Sequence, residues 1–314
     1  MMQRVKHAAT RLPGFQKLTA QRDAASAEAD LLRQQVAAQG YVPAGHFYSP
    51  IPDWDDVAEE RDRIFTEPGP QLAGIDLRER QQLELVRALS GFYGDMPFGP
   101  ERRDGLRYWF ENPAYSYSDG ILLYCMIRHA NPSRIIEVGS GFSSCVILDT
   151  NDLHFAGAIE TTFIEPFPAL LESLLAVGDR VRIVEDRLQN VGLDEFDHLR
   201  SGDILFIDST HVSKVGSDVN RIVFDILPRL APGVFVHVHD IHYPFEYPEV
   251  WVSQGRAWNE AYLLRAFLQF NSDFDIVLMS TFLATFHPDA LAEHLPLCLK
   301  NPGGSIWLRR KDTQ

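Results

Sequence analysis

The stretch RIIEVGSGFSS, residues 134–144, determines how the rest of the chain is interpreted. A short apolar run of strand length carries Glu137 near its end, and two glycines, Gly139 and Gly141, then alternate with small residues before a helix-like segment. Glycines at such a point let the chain turn tightly, and they let a ligand approach the backbone amides that begin the next helix. A tight turn alone would produce the same pattern, so the interpretation depends on the residues beyond it.

Further short apolar runs, rich in Val, Ile and Phe, come after this stretch and alternate with longer segments. They are TTFIE, VRIV, DILFID, GVFVHVHD, FDIVLM and GSIWLRR. This alternation is typical of a parallel sheet covered by helices on both faces. Ligands of such sheets bind beyond the carboxyl ends of the strands. The residues that end each strand are therefore the candidates for a site.

Acidic residues end the strand that comes after the glycine turn and the one after that. Glu165 ends the first of these two, and Glu185 and Asp186 end the other. A carboxylate at the end of the second strand can accept hydrogen bonds from both hydroxyls of a ribose. Together with the glycine turn, these acids predict a ribose-bearing ligand.

Several ordered motifs, IIEVGSGFSS, FIEP, VEDRLQNV, DILFIDSTH and GSIWLRR, resemble those of the class I S-adenosylmethionine-dependent methyltransferases. The resemblance covers roughly Tyr115 to Arg310. It implies an α/β, Rossmann-like, doubly wound sheet of seven strands, mostly parallel with an antiparallel last strand. It also implies S-adenosylmethionine as cofactor, with its methionine end at the glycine turn, its ribose on Glu165 and its adenine near Asp186. The residues assigned to the cofactor are Glu137, Gly139, Ser140, Gly141, Ser143, Glu165, Asp186 and Asp208.

A second group of ionisable residues lies at the ends of the fourth and fifth strands. It comprises Asp208, His211, His239, Asp240 and His242. Packing does not require so many polar side chains at two neighbouring strand ends. An imidazole with a pKa of about 6.5 can take a proton at neutral pH, so His211 and His242 are candidate general bases beside Asp208.

Metal-dependent O-methyltransferases of the same family take one acid from the fourth strand end and an acid pair from the fifth. Asp208 and Asp240 match this pattern, while His239 stands in place of the remaining acid. Oxygen ligands suit Mg²⁺ or Mn²⁺, and an imidazole shifts the preference toward Mn, Fe or Zn. Two interpretations stay open, namely a divalent metal on these residues or a metal-free site in which the histidines act as acid/base groups or line the pocket.

The N-terminal part of the chain has a different pattern. Phe15, Leu18, Ala25, Ala29, Leu32 and Val36 follow alternating spacings of three and four, with Arg22 filling one slot of the same stripe. This predicts a helix that either pairs with a second copy in a homodimer or lies on the protein's own surface. We expect residues 1–100 to form a helical arm and connector, and residues 101–314 the methyltransferase domain.

The composition of the chain limits the classes of partner that it can bind. The chain of 314 residues carries a net charge of −14 and three scattered cysteines, which argues against nucleic acid, an anionic membrane surface and a disulfide framework. An apolar run of membrane-spanning length is absent, so we expect a cytoplasmic protein. The expected function is methyl transfer to a hydroxyl of a small molecule or glycan. The alternatives are a metal-dependent hydrolase using HVHDIH and a non-catalytic scaffold that binds the cofactor.

Overall fold

A computed structural model of the chain describes residues 13–37 and 40–311. It divides into two compact units, Met1–Thr66 and Glu67–Gln314. The boundary expected after residue 100 falls inside the second unit, because the helix Glu79–Tyr93 packs there against the helix Tyr117–Ala130.

In its described residues, the first unit contains three helices, α1 (Pro13–Ala37), α2 (Trp54–Glu59) and α3 (Arg61–Ile64). Within α1, Leu32 is 53% exposed. The side chains of Phe15, Leu18 and Val36, which define much of the predicted stripe, lie outside the described part. Pairing of this helix with a second copy therefore stays a prediction.

The second unit contains the remaining helices. In chain order they are α4 (Glu79–Tyr93), α5 (Tyr117–Ala130), α6 (Phe142–Phe155), α7 (Ala169–Leu174), α8 (Asp218–Arg221), α9 (Glu249–Ser253), α10 (Glu260–Leu268), α11 (Ser280–Phe286) and α12 (Pro288–His294). Short 3₁₀ helices occupy Leu188–Asn190, Leu193–His198, Leu227–Arg229 and Pro296–Lys300, and a π-helical turn spans Ile222–Ile226.

The same unit contains one sheet of seven strands in the order β3-β2-β1-β4-β5-β7-β6. The strands are β1 (Arg134–Val138), β2 (Glu160–Ile164), β3 (Arg182–Val184), β4 (Ile204–Ile207), β5 (Phe235–His239), β6 (Phe274–Met279) and β7 (Ser305–Arg310). The pairs among β1 to β5 are parallel, and β7 is antiparallel to both of its neighbours. Every predicted strand is confirmed, as is the antiparallel last strand.

Burial explains why these runs form strands rather than helices. All residues of β4 and β5 are buried, and β1 is buried after its first residue, as expected for central strands covered on both faces. The order reverses between β1 and β4, which are neighbours at the centre of the sheet. The crevice beyond their carboxyl ends is the switch point at which such folds bind ligands.

A cavity of about 630 Å³ lies elsewhere, against the starts of β1, β2 and β3. Its lining includes Arg134, Glu160 and Arg182. Arg134 is paired with Glu160, and Arg182 with Glu195. Because these charges neutralise one another and the cavity lies at the opposite edge from the strand ends, we do not place the site there.

The carboxyl ends of β1, β2 and β4 are tied together at Gly139. Its N–H donates to the Ile164 carbonyl at 3.0 Å, and the Asp208 N–H donates to the Val138 carbonyl at 2.8 Å. Gly139 has φ +83°, and a Cβ added there would lie 1.9 Å from the Asp208 carbonyl oxygen. Glycine is therefore required at this position by both conformation and space.

We predict that Gly139→Ala destabilises the second unit more than Gly105→Ala does. Gly105 has a matching φ of +81° with nothing within 4 Å of an added Cβ, so it should lose only about 1 kcal/mol from left-handed strain. The clash at Gly139 should add at least about 2 kcal/mol. Denaturant unfolding of both variants measures the difference, and equal losses would show that the close approach to Asp208 is unimportant.

Candidate functional site

Glu165 holds the glycine turn against the end of β2. Its Oε2 accepts a hydrogen bond from the Ser140 N–H at 3.1 Å, and its Oε1 accepts one from the Phe167 N–H at 2.8 Å. The side chain is half-buried. A carboxylate oxygen can accept more than one hydrogen bond, so Glu165 can still receive the hydroxyls of a ribose. The structure brings Glu165 and the turn together, as the sequence predicts.

Glu137 lies beneath the turn and is fully buried. Its two oxygens accept hydrogen bonds from the hydroxyls of Ser143 at 2.5 Å and Ser144 at 2.6 Å, and the Ser144 hydroxyl also accepts from the Gly141 N–H at 3.0 Å. Burial raises the pKa of Glu137 to about 8, although both serine hydroxyls oppose the shift. Ser143 and Ser144 thus bind Glu137 to the first turn of α6. A contact of Glu137 or Ser143 with the cofactor stays a prediction.

Two buried hydroxyls near the turn lack a hydrogen-bond partner among the described residues, Ser140 Oγ and Tyr115 Oη. Burial raises the pKa of Tyr115 well above its usual value, so the phenol keeps its proton and remains a donor. Unpaired buried polar groups are costly. Their presence beside the turn fits a ligand with charged, hydrogen-bonding groups, such as the methionine end of S-adenosylmethionine. Tyr115 was not identified from the sequence, where its signal was its place just before the helix that leads into β1.

Asp186 lies at the end of β3 and is exposed. Its Oδ1 accepts hydrogen bonds from the Arg187 N–H and from the Asn190 amide, both at 2.7 Å. The carboxylate therefore stabilises its own turn. Its contact with adenine stays a prediction.

His211 joins three acids at the carboxyl ends of β4 and β5. Its Nδ1 lies 2.9 Å from Oε2 of Glu260, and its Nε2 lies 3.3 Å from Oδ1 of Asp208 and 3.6 Å from Oδ2 of Asp240. Burial would lower the pKa of His211, but the bonds to Asp208 and Glu260 outweigh burial and raise the pKa to about 10. The imidazole is thus protonated at neutral pH. In this state it cannot accept a proton from a substrate.

Glu260, the first residue of α10, was not identified as a site residue from the sequence. Its segment has the apolar spacing of a helix that packs into the core. Glu260 is only 2% exposed. The available signal was a single acid among apolar residues.

The backbone at this cluster is in an uncommon conformation. His211 and Asp240 have φ of +59° and +57°. Non-glycine residues in this region cost about 1 kcal/mol or more each and cluster at functional sites. The N–H groups of Asn259 and Glu260 both donate to the His211 carbonyl at 3.1 Å, so the start of α10 holds His211 in this conformation.

The predicted metal set of Asp208, His239 and Asp240 is not supported. Across residues 13–37 and 40–311, no group of three or more His, Cys, Asp or Glu side chains could hold a metal ion. The reason is that the His211 imidazolium lies between the carboxylates of Asp208 and Asp240, where a cation would otherwise bind.

His242 differs from His211 in its surroundings. Its ring lies against Gly304, where an added Cβ would be 2.5 Å away, and makes an edge contact with Trp251 at 5.0 Å. Nε2 is buried and has no partner in the described part of the chain. Burial lowers the pKa of His242 to about 4, and the nearby His239 adds to the effect. At neutral pH, His242 is therefore neutral with a free acceptor nitrogen.

Asp119 is a further acid that was not identified from the sequence. It lies in the first turn of α5, is 5% exposed, and accepts a hydrogen bond from the Gly304 N–H at 3.2 Å. Burial raises its pKa to about 6, while His239 opposes the rise. Burial also disfavours charge on His239, but Asp208, Asp240 and Asp119 outweigh it and raise the pKa of this histidine. The concentration of acids suits a positively charged ligand.

His237 belongs to the core rather than to the site. Its ring stacks on Phe206 at 4.1 Å and meets Trp307 at 4.8 Å. Burial lowers the pKa of His237 well below its usual value. The first histidine of HVHDIH is therefore unable to reach a substrate, which removes the structural basis of the hydrolase alternative.

A family model described as a methyltransferase domain matches residues 136–241, from within β1 to just beyond β5. An uncharacterised protein of Archaeoglobus fulgidus is 32% identical over 161 residues, which is 50% of this chain and 73% of that protein.

Solved structures with similar folds include the methyltransferase PaMTH1 of Podospora anserina, bound to SAH, at 17% identity and a TM-score of 0.42, covering 82% of this chain and 95% of that one. The O-methyltransferase TomG of Streptomyces achromogenes, in complex with SAM, shows 15% identity and a TM-score of 0.41, covering 82% and 97%. The strand order of the chain itself, rather than these likenesses, establishes the fold. Within the described ranges, no helix is both long and apolar enough to cross a membrane.

We predict that His211 makes stability depend on pH. Its pKa is raised to about 10 in the folded chain, against about 6.5 when unfolded. The folded state therefore binds more protons between these values, so the contribution of His211 is complete below about pH 6.5 and is lost as pH rises toward 10. A difference of one pH unit between the folded and unfolded pKa values corresponds to about 1.4 kcal/mol.

Thermal unfolding of His211→Gln between pH 6 and 10 tests this. The variant should be less stable than the wild type at pH 6, and the gap should narrow by more than about 1 kcal/mol toward pH 10. His198→Gln, at an exposed position, serves as control. A pH-independent gap would refute the charged state of His211.

Proposed function

Because this chain belongs to the class I S-adenosylmethionine-dependent methyltransferase family, we propose that its acceptor is a hydroxyl of a small molecule or glycan, with His242 taking the proton. The observation that carries the proposal is the state of His242. It combines a neutral imidazole with an unpartnered Nε2 beside the acid cluster at the strand ends.

The residues around the glycine turn would hold the cofactor. Glu165 would accept the ribose hydroxyls, and the hydroxyls of Ser140 and Tyr115 would donate to the methionine carboxylate. When bound, the cofactor supplies a methyl group on a positively charged sulfur. The acids Asp119, Asp208 and Asp240 favour that positive charge at the neighbouring strand ends.

Transfer requires the acceptor oxygen to approach the methyl carbon in line with the carbon–sulfur bond. The cofactor, if held by the residues of the glycine turn, would give its methyl group to the acceptor oxygen and keep the electron pair of the carbon–sulfur bond. The hydroxyl proton passes to Nε2 of His242. Asp208, whose side chain is 36% exposed and which His211 holds in place, would accept a hydrogen bond from a second hydroxyl of the acceptor and so orient it.

Two tryptophans favour a ring-shaped acceptor. Trp251 and Trp258 are half-buried, and their rings lie 5.0 Å from His242 and 4.5 Å from His211, respectively. Aromatic faces of this kind stack on sugars or planar rings. Such an acceptor would present its hydroxyl to both histidines.

We predict that Glu165→Ala weakens binding of S-adenosylhomocysteine. Losing charge-assisted hydrogen bonds worth about 1.5 to 3 kcal/mol lowers affinity by a factor of about 10 to 150. Glu185→Ala removes an exposed acid from the next strand end and should bind normally. Isothermal titration measures both, and equal affinities would remove the ribose assignment.

We predict that His242→Gln lowers kcat by about 10²- to 10⁴-fold and leaves the affinity for S-adenosylhomocysteine intact. The assay incubates protein, methyl-labelled cofactor and a deproteinised small-molecule extract, and detects methylated products by mass spectrometry. His294→Gln, which replaces a half-buried histidine at the end of α12, should retain activity. With the pKa of His242 lowered to about 4, the wild-type rate should rise through about pH 4 and stay level to pH 7.

Treatment with a chelator distinguishes this mechanism from one in which a metal ion assists. Activity should persist after dialysis against chelator, because His242 rather than a metal ion takes the proton. Loss of turnover that Mg²⁺ or Mn²⁺ restores would instead support the metal-dependent mechanism. Full activity of His242→Gln would show that another group is the base.

A further inference from the structure

Arg256 is held between two tryptophan rings in the segment after β5. Its guanidinium carbon lies 4.7 Å from the ring centre of Trp251 and 4.9 Å from that of Trp258. Its backbone N–H also donates to the Trp251 carbonyl at 3.1 Å. Cation–π contacts of this kind fix an arginine without neutralising it. We call these three residues the arginine clamp.

The clamp lies next to the proposed reaction centre. Trp251 contacts the ring of His242, and Trp258 contacts the ring of His211. The charge of Arg256 also acts on Asp240, whose pKa is raised by burial and held down in part by this arginine. A ligand group bound by the clamp would therefore lie within one small molecule's length of His242.

The donors of Arg256 are available to such a group. No described residue accepts a hydrogen bond from its side chain or forms an ion pair with it, and the side chain is half-buried. Several other arginines of this unit are paired with acids, as in Arg107 with Asp149, Arg182 with Glu195, Arg229 with Asp197 and Arg310 with Asp273. Packing of the segment accounts for the contacts of Arg256 with the two tryptophans. It does not account for the side-chain N–H groups of Arg256, which make no contact that packing requires.

Electrostatics favours one class of ligand for these groups. The carboxylates of Asp208, Asp240 and Glu260 are paired with the imidazolium of His211, whereas the guanidinium of Arg256 has no acid partner among the described residues and can attract an anion. Arginine binds carboxylates and phosphates through two parallel hydrogen bonds. We propose that the arginine clamp binds a carboxylate or phosphate of the methyl acceptor while the acceptor's hydroxyl faces His242. The identity of the ligand as a methyl acceptor rests on the proposed function, but binding of an anion is testable by itself.

The direct test uses simple anions as probes. Protein labelled at its five tryptophans is saturated with S-adenosylhomocysteine and titrated with acetate or inorganic phosphate at constant ionic strength, and the indole N–H signals are followed by NMR. The signals of Trp251 and Trp258 should shift saturably with at least one anion, which distinguishes a carboxylate site from a phosphate site. Absence of a shift with both anions would overturn the proposal.

Variants separate anion binding from packing. Arg256→Gln should weaken the apparent anion affinity at least about 10-fold, and Arg256→Lys should lose part of it because a lysine cannot bind through a planar fork. Both should bind S-adenosylhomocysteine normally. Arg309→Gln is the control, since Arg309 lies over Phe235 at 5.4 Å at the opposite edge of the sheet. Equal anion shifts in Arg256→Gln and wild type would assign Arg256 to packing alone.

The acceptor itself gives a second readout. Products found in the methylation assay should be retained by an anion exchanger, and Arg256→Gln should raise KM for them more than it lowers kcat. A neutral acceptor would contradict the clamp while leaving methyl transfer intact. Failure to bind S-adenosylhomocysteine would remove the proposed function, yet the anion titration would still report on the clamp.

Discussion

A protonated imidazole among three carboxylates holds the crevice together. His211 bonds to Asp208, Asp240 and Glu260, which come from the end of β4, the end of β5 and the start of α10. Each acid would be strongly destabilising if it were buried with its charge unpaired. The single positive charge offsets part of this penalty, and both His211 and Asp240 have a left-handed backbone conformation at this cluster.

The surroundings of this cluster give different pKa shifts to four histidines that look alike in the sequence. Surrounding acids outweigh burial and raise the pKa of His211 and of His239, whereas burial lowers the pKa of His242 and of His237. Of the two neutral rings, His237 is enclosed by Phe206 and Trp307. Environment rather than residue type therefore distinguishes His242, the proposed proton acceptor, from the other three histidines. An imidazolium in the place of a metal ion also explains why two acids that fit a metal-dependent pattern form no metal site among the described residues.

The part of the crevice proposed to bind the cofactor is built differently from the part proposed to bind the acceptor. On the cofactor side the backbone itself is the critical element, because Gly139 passes so close to the Asp208 carbonyl that no side chain fits. On the acceptor side, aromatic side chains and Arg256 extend from a segment that packs over the strand ends. The first arrangement can serve a whole family with one cofactor, and the second is free to differ with the acceptor.

The sequence by itself determined the seven strand segments and the position of Glu165 beside the glycine turn, because strand length, apolar pattern and strand-end placement are local properties that the topology brings to one edge. The antiparallel last strand was expected only from the resemblance to a known family. Only the tertiary structure decided which side chains meet at that edge. Glu260, Asp119 and Tyr115 come from elements distant in sequence, and nothing in their own segments marks them as neighbours of His211 or His239. The charge state of each histidine depends on those neighbours and on burial, so it could not be predicted from the residue type.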